Sequence, residues 1–75
     1  MKLNEVRQDR MGIVTSIGKD PRFLNRISAI GLTEGVRFQV VKNDRKMPLL
    51  VYVRETLLAL NRKDCEAIEV REVEG

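Results

Sequence analysis

The side chains that could carry chemistry are few, and only Asp64, Cys65 and Glu66 stand next to one another. The chain has one cysteine and no histidine, the residue that most often serves as a general base or a metal ligand. Three adjacent residues on a turn point in different directions, so one ion would rarely contact them all. We therefore expect no metal site and no cofactor, and an ordinary solvated turn with a half-buried Cys65 thiol.

Hydroxyl nucleophiles and phosphate-binding loops are no better supported. Ser16 and Ser28 have no histidine in the chain to activate them, which excludes a hydrolytic triad. No Gly-x-Gly-x-x-Gly, P-loop, His-Glu-x-x-His or Cys-x-x-Cys pattern occurs. The sequence therefore predicts no catalytic residues, and we do not expect an enzyme.

Basic side chains form one cluster at the tip of a predicted hairpin and another on a predicted helix. They are Lys42, Arg45 and Lys46 at the tip, and Lys19, Arg22 and Arg26 on the helix. A nucleic-acid surface would add exposed aromatic side chains, but both phenylalanines fall on predicted core stripes. Residues 1–63 hold 13 basic and 6 acidic side chains (+7), whereas residues 64–75 hold 1 and 5 (−4). The clusters fit a solvated surface or a protein contact, and we expect no nucleic acid.

Length and composition indicate one small domain over residues 1–75. The chain is 43% hydrophobic and 33% charged, proportions typical of a folded domain. Its longest apolar run, Met47 to Val53, is far shorter than the ~20 residues that span a bilayer. The polar N-terminus, with apolar anchors at Leu3 and Val6, shows no secretory signal. A lone cysteine suits a reducing compartment, so we expect a cytoplasmic protein.

A strand followed by a helix opens the predicted fold. Residues 12–17 are rich in β-branched side chains and predict the strand. Asp20 suits the N-cap, Pro21 the first helical position, and Gly31 the left-handed residue that ends a helix. The spacing predicts a helix over residues 21–30. Its apolar stripe consists of Phe23, Leu24, Ile27 and Ile30.

The next two strands, residues 36–41 and 47–54, are predicted to form a hairpin around a four-residue polar loop. Alternation assigns one face of this hairpin to the core, and a four-residue loop sets the register. The predicted core pairs are Val40 with Leu49, Phe38 with Val51, and Val36 with Val53.

The other face of the hairpin carries Val41, Leu50 and Tyr52, with Arg37 opposite Tyr52. An outer face with this much apolar area is a candidate contact surface. The alternative is that the N-terminal segment or the helix covers it.

Two short strands complete the prediction. Residues 56–60 form one, residues 61–64 a single helical turn, and residues 67–73 the last strand, with Ile68 and Val70 facing inward. About five short strands with one helix after the first predict a mainly β fold. A small closed barrel would leave no exposed sheet edge.

One segment, residues 26–35 (RISAIGLTEG), resembles the helix-to-strand signature of the ferrous iron transport protein A (FeoA) family. That signature reads arginine, aliphatic, two variable residues, aliphatic, Gly-Leu, two variable residues, glycine. Residues 12–17 resemble the family's first barrel strand, residues 47–49 the start of its third, and residues 58–60 with 67–70 its closing strands. The resemblance covers nearly the whole chain and implies an SH3-like barrel. Two departures are the absence of the family's frequent glycine near Glu55 and of its frequent alanine near Cys65.

The resemblance implies a cytosolic accessory or regulatory protein of ferrous iron uptake. Its expected partner is the cytosolic part of FeoB, the membrane ferrous iron transporter, so a membrane would matter only through that partner. The matched motif contains no catalytic or iron-binding residue to carry over.

The contact surface that we predict for this partner joins the outer hairpin face to the basic helix face. Its residues are Arg22, Arg26, Val41, Leu50 and Tyr52. Two other functions stay open: a self-associating module, since the same face could form a homodimer, and a small nucleic-acid-binding barrel.

Overall fold

The computed structural model describes residues 1–74 and contains five strands, two helices and a 3₁₀ turn. In chain order these are the 3₁₀ turn Leu3–Glu5, β1 (Met11–Ser16), α1 (Pro21–Ala29), β2 (Arg37–Lys42), β3 (Leu49–Val53), β4 (Thr56–Leu60), α2 (Arg62–Cys65) and β5 (Glu69–Val73). The predicted order of elements is confirmed, and strand bounds differ from the predicted ones by one or two residues at most. Gly75, the last residue of the predicted domain, lies outside the described residues.

The ends of α1 follow from local chemistry. The Asp20 carboxylate accepts a hydrogen bond from the backbone N–H of Arg22 at 3.1 Å, and Pro21 occupies the first helical position. Gly31 has a φ of +108°, a left-handed conformation that favours glycine. The helix ends one residue earlier than predicted because Ile30 has already left the helical conformation (φ −92°, ψ 0°).

The apolar stripe of α1 is only partly buried. Ile27 is fully buried and Phe23 packs partly against the core, but Leu24 and Ile30 are exposed. The expectation of one core-facing stripe is therefore wrong for these last two residues. Leu24 lies about 60° around the helix from Ile27, and Ile30 follows the last helical residue.

All five strands belong to one antiparallel sheet in the order β4-β3-β2-β1-β5. The sheet wraps around a single core, which confirms the mainly β, SH3-like prediction. Within the described residues, β4 and β5 do not pair with each other, and α2 carries the chain across the seam between them. The barrel is therefore less closed than predicted, and each terminal strand has an outer edge.

The outer edge of β5 is covered by the N-terminal segment. The Val70 N–H donates to the Met1 carbonyl at 2.7 Å, and the Leu3 N–H donates to the Ile68 carbonyl at 2.9 Å. Between these two hydrogen bonds, Lys2 and Glu69 form an isolated antiparallel β-bridge. The segment thus acts as a short additional strand, and the Leu3 side chain is fully buried beneath it.

Buried apolar side chains from every strand, from both helices and from the N-terminal segment form one core. They are Leu3, Val6, Val14, Ile17, Ile27, Leu32, Val36, Phe38, Val40, Leu49, Val51, Val53, Leu60, Cys65, Ile68 and Val70. Phe38, one of the largest of them, packs directly on Gly12. A Cβ atom at Gly12 would lie 2.6 Å from Cζ of Phe38, so this contact requires glycine.

The hairpin of β2 and β3 is paired two residues away from the predicted register. Val40 lies opposite Val51, not opposite Leu49. A bulge at Val41 and a connection longer than the predicted four-residue loop account for the shift. Because a two-residue displacement keeps each side chain on its own face, the core side of the hairpin was predicted correctly. The predicted pairs that are wrong are Val40 with Leu49, Phe38 with Val51, and Val36 with Val53.

Candidate partner-binding surface

The three hairpin residues predicted to contact a partner lie on the outer side of the sheet. Tyr52 and Val41 are 45% and 38% exposed, and Leu50 is half-buried. Tyr52 lies opposite Gln39, so the predicted pairing with Arg37 is wrong. Because these side chains remain accessible, the alternative in which the N-terminal segment or the helix covers this face is also wrong.

Strand β4 extends the same face by two residues that the sequence prediction missed. Leu50 lies opposite Ala59, and Tyr52 lies opposite Leu57, which is 56% exposed. Residues 57–60 are all apolar, so alternation alone could not tell which of them face outward. Pairing through a short turn after β3 was the signal that could have identified them. We call Val41, Leu50, Tyr52, Leu57 and Ala59 the outer apolar face.

A shallow basic hollow of about 390 Å³ adjoins this face at Ala59. Its charged lining residues are Arg45, Lys46 and Arg62, and apolar and amide side chains complete the wall. Within residues 1–74, none of these three cations forms an ion pair with a carboxylate. The hollow therefore presents three cations without an ion-pair partner beside an apolar surface, and the nearby Asp44 carboxylate accepts its hydrogen bond from the Lys46 backbone N–H at 3.0 Å.

Asn43 holds the hollow in shape. Its Nδ2 donates to the Val6 carbonyl at 2.8 Å and to the Asn4 carbonyl at 3.1 Å, and its Oδ1 accepts from Nη2 of Arg62 at 2.8 Å. The Arg62 guanidinium also donates to the Asp44 carbonyl at 3.2 Å. Neutral oxygens thus position this guanidinium, and its charge stays available.

The two helix arginines predicted to contact a partner lie elsewhere. Arg26 forms a two-bond ion pair with Asp64 of α2, at 2.8 and 3.3 Å, and its guanidinium lies 5.2 Å from the centre of the Phe23 ring. The hydrogen bond from Arg26 lowers the pKa of Asp64, and the same bond raises the pKa of Arg26. Arg22 is exposed in the first helical turn. No hydrogen bond or ion pair in residues 1–74 links either arginine to the outer apolar face, so their joint role stays a prediction.

Cys65 is fully buried on α2. The expectation of a half-buried thiol on a solvated turn is therefore wrong. Burial raises the pKa of this thiol from its ordinary value to about 11. The thiol faces the core because α2 packs against the 3₁₀ turn Leu3–Glu5. Within residues 1–74, no group of three or more cysteine or carboxylate side chains is arranged to hold a metal ion.

A comparison with protein-family models matches residues 1–72 to the FeoA domain. This chain belongs to the FeoA family. The resemblance inferred from residues 26–35 is thereby confirmed, and with it an association with ferrous iron transport. FeoA is not a known enzyme family. A search of curated proteins gives no match.

Solved FeoA structures share this fold. An iron uptake regulatory FeoA protein is 23% identical with a TM-score of 0.88, covering 97% of this chain and 96% of its own. FeoA from Chlorobium tepidum is 29% identical with a TM-score of 0.87, covering 100% and 72%. FeoA from Stenotrophomonas maltophilia, a prokaryotic SH3 domain protein complexed with zinc, is 22% identical with a TM-score of 0.76, covering 95% and 89%. In the part of the chain described, no helix is long and apolar enough to span a membrane.

Proposed function

We propose that this FeoA-family chain is a cytoplasmic accessory protein of ferrous iron uptake that regulates FeoB by binding its cytosolic part. The family association with ferrous iron transport supports the pathway. The outer apolar face supports the mode of action, because large apolar side chains exposed together mark an interaction site. The basic hollow beside it adds a preference for an acidic partner surface.

Tyr52 is the best single probe of this contact. It lies centrally on the outer apolar face, opposite Leu57 on one side and Gln39 on the other, and it is the only tyrosine of the chain. Tyrosine is also enriched among the residues that dominate binding energy at interfaces. Leu50 is a poorer probe, because it is half-buried and its substitution would also lower the stability of the fold.

The test is a calorimetric titration of the chain with the cytosolic GTP-binding part of its cognate FeoB, with and without nucleotide, at near-physiological salt. We expect saturable binding that Tyr52→Asp weakens by about tenfold or more. Leu24→Asp is the matched control, since Leu24 is a comparably exposed apolar residue on α1, and it should bind as the wild type does. An absence of binding at high micromolar concentration would remove the proposal.

Self-association is the second candidate, since the same exposed face could pair with its copy in a twofold dimer. Sedimentation velocity over a range of concentrations separates the two. A dimer that Tyr52→Asp dissociates, together with no affinity for the transporter, would favour this alternative.

A further inference from the structure

Strand β4 is the end of the sheet and pairs only on one side, with β3. Its five residues, Thr56 to Leu60, include no charged residue and no proline, the two features that commonly protect an exposed edge. A strand of this kind is a ready template for another strand.

The turn before β4 shows which backbone groups face that open edge. Arg54 and Glu55 both have positive φ, +50° and +65°, which is the two-residue turn that best fits a hairpin. The flanking residues, Val53 and Thr56, then form a hydrogen-bonded pair, and such pairs alternate along an antiparallel ladder. Val51 with Leu58 and Leu49 with Leu60 are the next bonded pairs.

The N–H and C=O groups of Leu57 and Ala59 therefore point away from β3. Elsewhere in residues 1–74, no backbone or side-chain group forms a hydrogen bond with them. Two donors and two acceptors thus lie along the open edge, directly beside the exposed Leu57 side chain. This pattern matches an extended peptide, which would complete the ladder as a further strand.

The charge at the end of β4 indicates what this peptide carries. The basic hollow begins at Ala59, and its cations Arg45, Lys46 and Arg62 lack an anionic partner in the described residues. An aspartate or glutamate side chain on the added strand would bind there with charge-assisted hydrogen bonds.

A second copy of this chain fits the edge less well. Antiparallel pairing of two β4 strands about Leu58 would bring the Arg54-Glu55 turn of one copy to the basic hollow of the other. That turn brings the cation Arg54 together with the anion Glu55, so it would add no net negative charge to the hollow.

We propose that β4 binds an extended, acidic segment of the transporter's cytosolic part as a sixth strand, bonded through the main chain of Leu57 and Ala59, with its carboxylate in the basic hollow. This inference rests on the proposed function and specifies which edge the partner occupies.

The first test follows the amides themselves. In the 15N-labelled chain, the Leu57 and Ala59 amides should exchange rapidly with solvent, and saturation with the transporter's cytosolic GTP-binding part should slow both by about tenfold or more. Saturable binding without slower exchange would overturn this inference and leave the proposed function standing. No binding would overturn both. Slower exchange that depends only on the concentration of the chain itself would assign the edge to a second copy and overturn the inference.

Two pairs of variants test the main-chain bonds and the charge. Ala59→Pro removes the outward N–H, whereas Ala59→Val keeps it; we expect about tenfold weaker binding for the proline variant than for the valine variant. Lys46→Glu should weaken binding by about tenfold and reduce its salt dependence, while Lys19→Glu, near α1, should not. Because the Ala59 N–H is unused by the sheet, Ala59→Pro should fold; if it does not, the Lys46→Glu and Lys19→Glu pair decides. Equal affinities within both pairs would overturn the inference.

Discussion

The two outer edges of this sheet, formed by β5 and β4, differ in their hydrogen bonding and in their charge. The edge of β5 is bonded to the N-terminal segment, and its strand carries three charged residues, Glu69, Arg71 and Glu72. The edge of β4 is bonded to nothing in the described residues and its strand carries no charge. Both strands are five residues long and both end the same sheet, so length and position do not explain the contrast.

Protection against unwanted strand pairing accounts for the β5 edge and not for the β4 edge. Charges and a covering segment are the usual protections against unwanted strand pairing, and β5 has both. An unpaired and uncharged edge such as that of β4 can pair with another strand, either of a partner or in aggregation. The contrast therefore separates an edge that is closed by the fold itself from one that stays open.

The largest expected effect compares a leucine at each edge. Leu3→Ala should lower the free energy of unfolding by about 2–5 kcal/mol, because it removes a fully buried side chain and leaves a cavity under the covering segment. Leu57→Ala should change it by less than about 0.5 kcal/mol, because that side chain is 56% exposed. Urea unfolding followed by circular dichroism measures both.

The outcome that would contradict the comparison is a similar loss in the two variants. A large loss for Leu57→Ala would mean that the outer apolar face contributes to the stability of the fold. A small loss for Leu3→Ala would mean that the N-terminal segment does not secure the β5 edge.

Local signals in the sequence predicted most of the fold. Asp20, Pro21 and Gly31 fixed the helix because caps act through neighbouring atoms, and alternation in β2 and β3 identified the core side. The hairpin register was wrong because a bulge at Val41 depends on pairing across strands. The covering of β5 joins residues almost seventy positions apart, and no local pattern reports such a contact.

The outer apolar face was predicted only in part for the same reason. Val41, Leu50 and Tyr52 could be read from alternation within one hairpin. Leu57 and Ala59 could not, because an unbroken apolar run hides which residues face outward until the partner strand is known.

The next largest expected effect is a pH dependence of stability that comes from Cys65, in the helix α2 that connects β4 to β5. In the folded chain the buried Cys65 thiol has its pKa raised to about 11, from an ordinary value of 9.0. The unfolded chain therefore ionises first, so this thiol's contribution to stability is intact below about pH 9 and falls as pH rises toward about 11. The loss should reach about 3 kcal/mol, at about 1.4 kcal/mol for each pKa unit.

Other groups also titrate at alkaline pH, so the measurement is a difference. Urea unfolding of the wild type and of Cys65→Ala, at matched pH values, isolates the thiol, because the alanine variant lacks this dependence. Ultraviolet absorbance of the thiolate in the native protein gives an independent reading. A native thiol that ionises near its ordinary pKa would show that water reaches Cys65 at the seam between β4 and β5. The N-terminal segment would then close the outer edge of β5 but not the seam.

The smallest effect lies in the turn that leads into the bare edge. Glu55 is held at a φ of +65°, in the left-handed region that costs a side-chain-bearing residue about 1 kcal/mol. Glu55→Gly removes that strain and should raise the free energy of unfolding by up to about 1 kcal/mol, less the extra entropy that glycine gains in the unfolded chain. The converse variant, Gly31→Ala, should lose stability, because Gly31 has a φ of +108° and no atom within 4 Å to compensate. If Glu55→Gly is stabilising and leaves affinity for the transporter unchanged, the turn orients β4 without touching the partner. A loss of affinity alongside higher stability would instead place Glu55 in the contact and extend the binding edge to include the turn.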